Sequence, residues 1–270
     1  MPVDTRVKFD GNEHTAIQNV SVLSATQSNV DISDYTFEAV IDGSRTELGI
    51  SSTKITNLII RNNRGKIVYD EANDIGKNKF EIIYRDGLLQ VYLTKLTYTS
   101  VPDPSNAKNY EKIYDGYALQ GKVSDVRLSE GVLPDGYTCT ITPTASITNV
   151  GAIANSFNVK IYKNGQDVTD HFYVIRMFGS LTVKARDITI TAGSSSGRFG
   201  QTVTCNEILY NKADLAATDQ IFEYEVEGAQ NNIGYSSNVI RDVVIKNKSG
   251  SDVTSNYKIT YIDGRLTVTP

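Results

Sequence analysis

The chain contains no tryptophan, and only two histidines, two cysteines and six prolines among 270 residues. With sixteen tyrosines and no tryptophan, its aromatic set is unlike that of a carbohydrate-binding module, where aromatic platforms stack on sugars. His14 has no equivalent elsewhere in the chain, and His171 stands where Lys79 and Asn256 stand in related stretches. Neither suggests a catalytic triad or a histidine-bearing metal site, and no cofactor or metal ligand set is expected. Cys139 and Cys205 fall at non-equivalent positions of different repeats, so a disulfide would have to cross domains, and zinc needs more ligands than these. Free thiols are expected, with Cys139 in an apolar core slot. The net charge of −4 and pI near 5.3 provide no basic footprint for nucleic acid. No apolar stretch approaches membrane-spanning length. Met1-Pro2-Val3-Asp4 has neither a basic nor an apolar leader region. The chain therefore reads as cytosolic or as a segment of a longer exported protein. The second is preferred, because residues 1–91 begin almost without a first strand and the chain stops just after its last one.

What is present is a repeat. Tyr257-Lys-Ile-Thr-Tyr-Ile-Asp-Gly264-Arg-Leu-Thr-Val268 has counterparts in Phe80-Glu-Ile-Ile-Tyr-Arg-Asp-Gly87-Leu-Leu-Gln-Val91 and Phe172-Tyr-Val-Ile-Arg-Met-Phe-Gly179-Ser-Leu-Thr-Val183. Each aromatic precedes its glycine by seven residues (87−80, 179−172, 264−257). The glycines are 92 and 85 residues apart (179−87, 264−179), a spacing of immunoglobulin-domain size. Apolar residues alternate with polar ones on both sides of the glycine, the period of a strand. The expectation is a hairpin with Gly87, Gly179 or Gly264 at positive φ.

Three modules follow: 1–91, 92–183 and 184–270. Each opens on Val7-Lys-Phe9-Asp10-Gly11, Ile113-Tyr114-Asp115-Gly116 or Arg198-Phe199-Gly200. Next comes a strand carrying Tyr35, Phe37 and Ala39, or Tyr137, Cys139 and Ile141, or Phe222, Tyr224 and Val226. Gly49, Gly151 and Gly234 open a further strand, which ends at a turn through Gly65, Gly165 or Gly250. The first module carries an insertion near 70–76. That insertion and Ala213-Asp-Leu-Ala-Ala217 are the only stretches suited to a helical turn. Short β-branched and aromatic runs between glycine and asparagine turns describe an all-β chain of antiparallel sandwiches. Leu181-Thr-Val183 runs into the next strand with no linker, which predicts a semi-rigid, elongated rod. The join after the first module is expected to be looser, with a solvated loop at 100–106.

The Tyr114-Asp-Gly116 triplet, the Asp-Val-Thr triplets at 167–169 and 252–254, and the closing Gly-x-Leu-Thr-Val at 179–183 and 264–268 resemble the MBG/YDG-type Ig-like repeats of bacterial cell-surface proteins. The resemblance covers modules two and three, and module one more weakly. It implies an exported, envelope-attached stalk with adhesive roles in some members, and it brings no catalytic or binding residues to transfer.

Function is therefore expected to be non-catalytic and mechanical, carried by Phe80, Phe172, Tyr257, Gly87, Gly179 and Gly264 in a monomeric rod at the cell surface. Two alternatives stand beside it. One is a module that binds a host glycan or extracellular glycoprotein, centred on the first module's insertion. The other is a set of accessory domains of a secreted carbohydrate-active enzyme. Asp70, Glu71 and Asp74 form the nearest approach to a calcium cluster, with a solvated loop as the plainer reading. Asp115, Asp167 and Asp252 recur beside turns, where a carboxylate caps backbone N–H groups. Tyr137, Tyr257 and Tyr261 are expected to face inward, and Tyr98, Tyr110 and Tyr235 to be exposed near loops.

Overall fold

The computed structural model describes residues 1–22, 31–100 and 110–270. Among these the chain is all-β, with strands, turns and single 3-10 turns but no α-helix. The 3-10 turns include Ile32–Asp34 and Lys212–Asp214. Each starts where an Asx side chain, Asp31 or Asn211, accepts the N–H two residues on and holds one turn without extending it. The insertion at 70–76 is a chain of turns closed by a bridge between Asp70 and Ile75.

The chain divides into two compact units. One comprises Met1–Tyr98, Leu128–Ile141 and Val159–Arg176; the other comprises Thr99–Arg127, Thr142–Asn158 and Met177–Pro270. In the first, a mixed sheet orders Thr5–Lys8, Gly87–Tyr92, Gly49–Asn62 and Tyr35–Asp42. In the second, Ser195–Arg198, Gly264–Thr269, Gly234–Asn247 and Asp219–Glu227 follow each other in the same order. The sheets are mixed and curled, not purely antiparallel, because an opening strand runs parallel to a closing one.

That parallel pairing occurs at three places. Val7 lies opposite Val91, Lys112 opposite Val183, and Gly197 opposite Val268. Beyond each pair the next aromatic donates its N–H across the sheet: Phe9 to Tyr92 O (2.8 Å), Tyr114 to Lys184 O (2.9 Å), Phe199 to Thr269 O (2.8 Å). On the other side of the closing strand the neighbour is antiparallel, and a glycine faces the same valine: Gly49 with Val91, Gly151 with Val183, Gly234 with Val268. These three glycines have φ of 122°, 148° and 134°, backbone that side chains rarely adopt. The 14-residue strands Gly49–Asn62 and Gly234–Asn247 then pass on to pair with Tyr35–Asp42 and Asp219–Glu227.

The closing stretch is not a hairpin. Tyr257–Ile262 pairs with Arg186–Ala192, whereas Gly264–Thr269 pairs with Ser195–Arg198 and Gly234–Asn247 in another sheet. Tyr173–Met177 and Ser180–Lys184 are divided between sheets in the same way. Gly264 thus marks a corner where the chain changes sheets. Neither Gly87, Gly179 nor Gly264 has positive φ. The reason for glycine is close approach: a Cβ on Gly264 would meet the carbonyl oxygens of Ala192 and Gly193, and one on Gly87 would lie 2.8 Å from Pro2 O and Thr53 Oγ1.

Strand phase corrects a second expectation. Register shifts between Ile221 and Glu223 and between Glu225 and Val226 interrupt Asp219–Glu227. A bulge breaks the two-residue period, so Ile221 and Val226 pack on the core while Phe222 and Tyr224 are exposed. Cys139 is also exposed, not a core residue. Asp219–Glu227, Tyr35–Asp42 and Tyr137–Pro143 each end a sheet, and the register shifts in the first two discourage pairing with other chains.

Candidate functional site

Among the described residues no histidine, cysteine and carboxylate constellation is placed to hold a metal. The recurrent polar chemistry sits at the sheet corners, at the Asp-Val-Thr turns and where one closing strand leads into the next.

At the corners a buried polar residue lies four positions after the strand-opening glycine: Thr53, Asn155 and Asn238, all at most 2% exposed. Thr53 faces Gly87 and Asn238 faces Gly264. Asn238 Nδ2 donates to Gly193 O (2.9 Å) and Cys205 O (2.8 Å), tying down the backbone against which Gly264 packs. Asn155 N–H donates to Gly179 O (2.8 Å), and its carbonyl accepts the Ser100 hydroxyl (2.6 Å). Ser100 Oγ in turn accepts the Gly179 N–H (3.2 Å). Ser100 is completely buried, which removes it from the solvated loop expected there; positions 101–106 of that loop lie outside the described residues. The sequence signal for these corners was the fixed offset from Gly49, Gly151 and Gly234, masked by polar side chains that suggest surface.

The Asp-Val-Thr triplets build identical turns. Asp167 Oδ1 accepts the Thr169 N–H (3.1 Å) and hydroxyl (2.6 Å), and Thr169 Oγ1 accepts the Ile161 N–H (2.9 Å). Asp252, Thr254 and Ile245 repeat this at 2.9, 2.7 and 2.8 Å. The Thr169 hydroxyl and N–H, with the Lys160 ammonium, hold the Asp167 carboxyl down at about 2. Asp252 is lowered by its threonine in the same manner. Asp115 accepts the Tyr117 N–H (2.9 Å) and pairs with Lys112 (2.5 Å). Burial works to raise its pKa, but these partners prevail and lower it. All three carboxylates are turn caps.

Two joins link closing strands to their successors. Only Leu93 and Thr94 separate Gly87–Tyr92 from Lys95–Thr99, and only Ala185 separates Ser180–Lys184 from Arg186–Ala192. The first join is therefore about as short as the second. At the first, Leu93 N–H donates to His171 O (2.7 Å) and Tyr173 N–H to Thr94 O (3.1 Å). Gln90 Nε2 reaches Asp170 O (3.0 Å) and Phe172 O (2.8 Å). His171 serves here through its backbone. At the second, Arg186 donates to Asp214 O (2.7 Å) and Ala213 O (2.8 Å), and Asn256 Oδ1 accepts the Val150 N–H (2.7 Å). Tyr114 meets Tyr257 edge-on at 5.5 Å. Burial, and then the Asp219 carboxylate, push the Tyr114 hydroxyl up to about 12. Tyr257 O–H donates to Asp219 (2.7 Å) and accepts the Ala216 N–H (3.0 Å).

The remaining candidates are accounted for locally. Asp70 accepts the N–H groups of Ala72 and Asn73, Glu71 accepts the Tyr84 hydroxyl (2.9 Å), and Asp74 pairs with Lys77 (2.9 Å). Among the described residues no group of three or more His, Cys, Asp or Glu is placed to hold a metal. His14 pairs with Asp10 (2.9 Å). Cys139 and Cys205 are both free. Tyr98 and Tyr110 are buried and Tyr261 is exposed, the reverse of expectation, while Tyr257 is buried and Tyr235 exposed as expected. An open groove of about 580 Å³ is lined by Thr218, Asp219, Phe222, Lys246 and Lys248. The Lys246 ammonium lies 3.5 Å from the Phe222 ring centroid, and Arg265 lies 4.0 Å over Tyr235. Each of these two exposed rings, Phe222 and Tyr235, thus has one face occupied by a cation. No helix among the described residues is long and apolar enough to cross a membrane. No protein-family model and no curated protein matches the chain.

Proposed function

We propose that the chain is a non-catalytic, load-bearing stalk segment of three Ig-like sandwich modules in series, 1–91, 92–183 and 184–270, within an exported bacterial surface protein of MBG/YDG type. The observation that carries this reading is the threefold recurrence of one register: opening strand parallel to closing strand, with the same glycine opposite the same valine. Joins of one or two residues, held by hydrogen bonds to the backbone from main-chain and side-chain groups, supply stiffness at each passage from one module to the next. Force applied along such a series is resisted by hydrogen bonds loaded together in the parallel pairs. Small-angle scattering tests the arrangement. A compact 270-residue domain has a radius of gyration near about 18 Å; modules in series give a value well above it, and a value near 18 Å refutes the rod.

Direct binding of a glycan or extracellular glycoprotein is the second reading. The groove beside Phe222 favours that region over the 70–76 insertion, whose carboxylates are occupied. A competable hit on a glycan and matrix-protein array, lost in Phe222→Ala, would establish it and give the stalk an adhesive role.

A further inference from the structure

In the first compact unit a buried hydroxyl without a partner faces an exposed thiol. Tyr98 is 2% exposed, and its hydroxyl makes no hydrogen bond. A phenol O–H left unpaired at that depth is costly and calls for a reason. The side chain that faces it is Cys139, which is exposed. Strand alternation accounts for the placing. Leu96 and Tyr98 share one face of Lys95–Thr99, and Tyr137 and Cys139 share one face of Tyr137–Pro143. Tyr137 meets the enclosed ring of Phe172 edge-on at 5.1 Å. That face therefore looks inward, and at Cys139 it opens to solvent. Seen from solvent, the Tyr98 hydroxyl lies behind the thiol.

A thiol sulfur is a weak acceptor, and no hydrogen bond closes between the two groups. Burial, and then the Cys139 thiol, push the pKa of the Tyr98 hydroxyl up, so the phenol keeps its proton and remains a donor. What the pair lacks is a strong acceptor on the sulfur. Oxidation of a thiol to a sulfenic acid puts one oxygen there.

We propose that Cys139 is an oxidation site for hydrogen peroxide, forming a sulfenic acid whose oxygen accepts a hydrogen bond from Tyr98. The Cys139 thiolate attacks one peroxide oxygen. An S–O bond forms as the O–O bond breaks, and the sulfur gives up an electron pair. The leaving hydroxide takes the proton that the thiol lost, and water is released. Tyr98 keeps its own proton throughout and acts as a positioning residue. Reduction by an external thiol restores Cys139. Cys205, half-buried against Val203, Leu266 and Val268, is the internal control. The site goes beyond the stalk reading and does not depend on it.

The test treats the full chain with hydrogen peroxide, removes the peroxide with catalase and traps sulfenic acid with dimedone at intervals. Peptide mass mapping then locates the label. It is expected on Cys139, in a form that lasts about tenfold longer than in Tyr98→Phe, which lacks one hydrogen-bond donor. Equal lifetimes in the two proteins, or label on Cys205 in preference to Cys139, overturn the proposal. Tyr98→Phe keeps the ring, so before oxidation it melts no lower than wild type. A lower melting temperature would show the hydroxyl already paired and remove the premise. Wild type unfolded in urea gives the same comparison without a variant. There the lifetime at Cys139 falls to that at Cys205, and a lifetime unchanged by unfolding also overturns the proposal.

Discussion

Residues 80–92 and 257–269 have nearly the same side-chain pattern and the same corner glycine, yet their surroundings differ. Tyr257 is buried within a cluster of twelve buried side chains that includes Ile188 and Ile190. Among the described residues, the cluster on which Phe80 packs contains three. The difference lies in the strand beside them. Tyr257–Ile262 pairs along Arg186–Ala192 and is a strand; among the described residues 81–86 pairs with no strand. Alternation makes a segment competent to pair, but a neighbouring strand is needed to realise it.

The comparison makes graded predictions. Phe172→Ala, removing a fully enclosed ring, costs about 3–5 kcal/mol, and Phe80→Ala about half as much because its pocket is partly open. Chemical denaturation of the two variants reads the gap, and equal losses would break the comparison. Gly264→Ala forces a Cβ against two backbone carbonyls and costs about 1–3 kcal/mol. Gly87→Ala, whose neighbours include a proline ring and a threonine hydroxyl, is expected at the lower end of that range in thermal melts. Asn238→Ala leaves Gly193 O and Cys205 O without this donor and costs about 1–3 kcal/mol. Thr53→Val at the matching corner is close to neutral, because Thr53 Oγ1 has no hydrogen-bond partner and loses none. The smallest effect is acid-specific. Asp167 has its pKa depressed to about 2 from 3.8, so its stabilisation is present above the higher value and is lost as pH falls through the lower. Asp252 shifts in the same direction. Melts of Asp167→Asn and Asp252→Asn should therefore fall less steeply than wild type as pH drops from about 4 to about 2.

Much of this architecture was legible in the sequence because its markers are local. Phe9, Tyr114 and Phe199, and the glycines at 49, 151 and 234, were alignable from residue type and order and occupy matching registers. The Asp-Val-Thr turns were legible for the same reason, since the capping carboxylate and the threonine that donates to it lie two residues apart. Pairing partners were not. The alternation of Tyr257–Ile262 announces a strand but not its neighbour, so a corner between sheets reads as a hairpin. Bulges were hidden too, and those in Asp219–Glu227 turned Phe222 and Tyr224 outward. Tyr98 looked like a loop residue because its module boundary was set by spacing, whereas it lies within Lys95–Thr99 and is 2% exposed.

Native-state hydrogen exchange in low denaturant tests the central claim, that one register recurs and that 257–262 is held in a strand whereas 81–86, among the described residues, is not. The account predicts that amides of Leu89 and Leu266, at matching places in the closing strands, are both among the slowest in their modules. It also predicts that the first module opens at a lower free energy, with 81–86 the first to exchange. Equal opening energies for the two modules, with 81–86 as protected as 258–262, would contradict it.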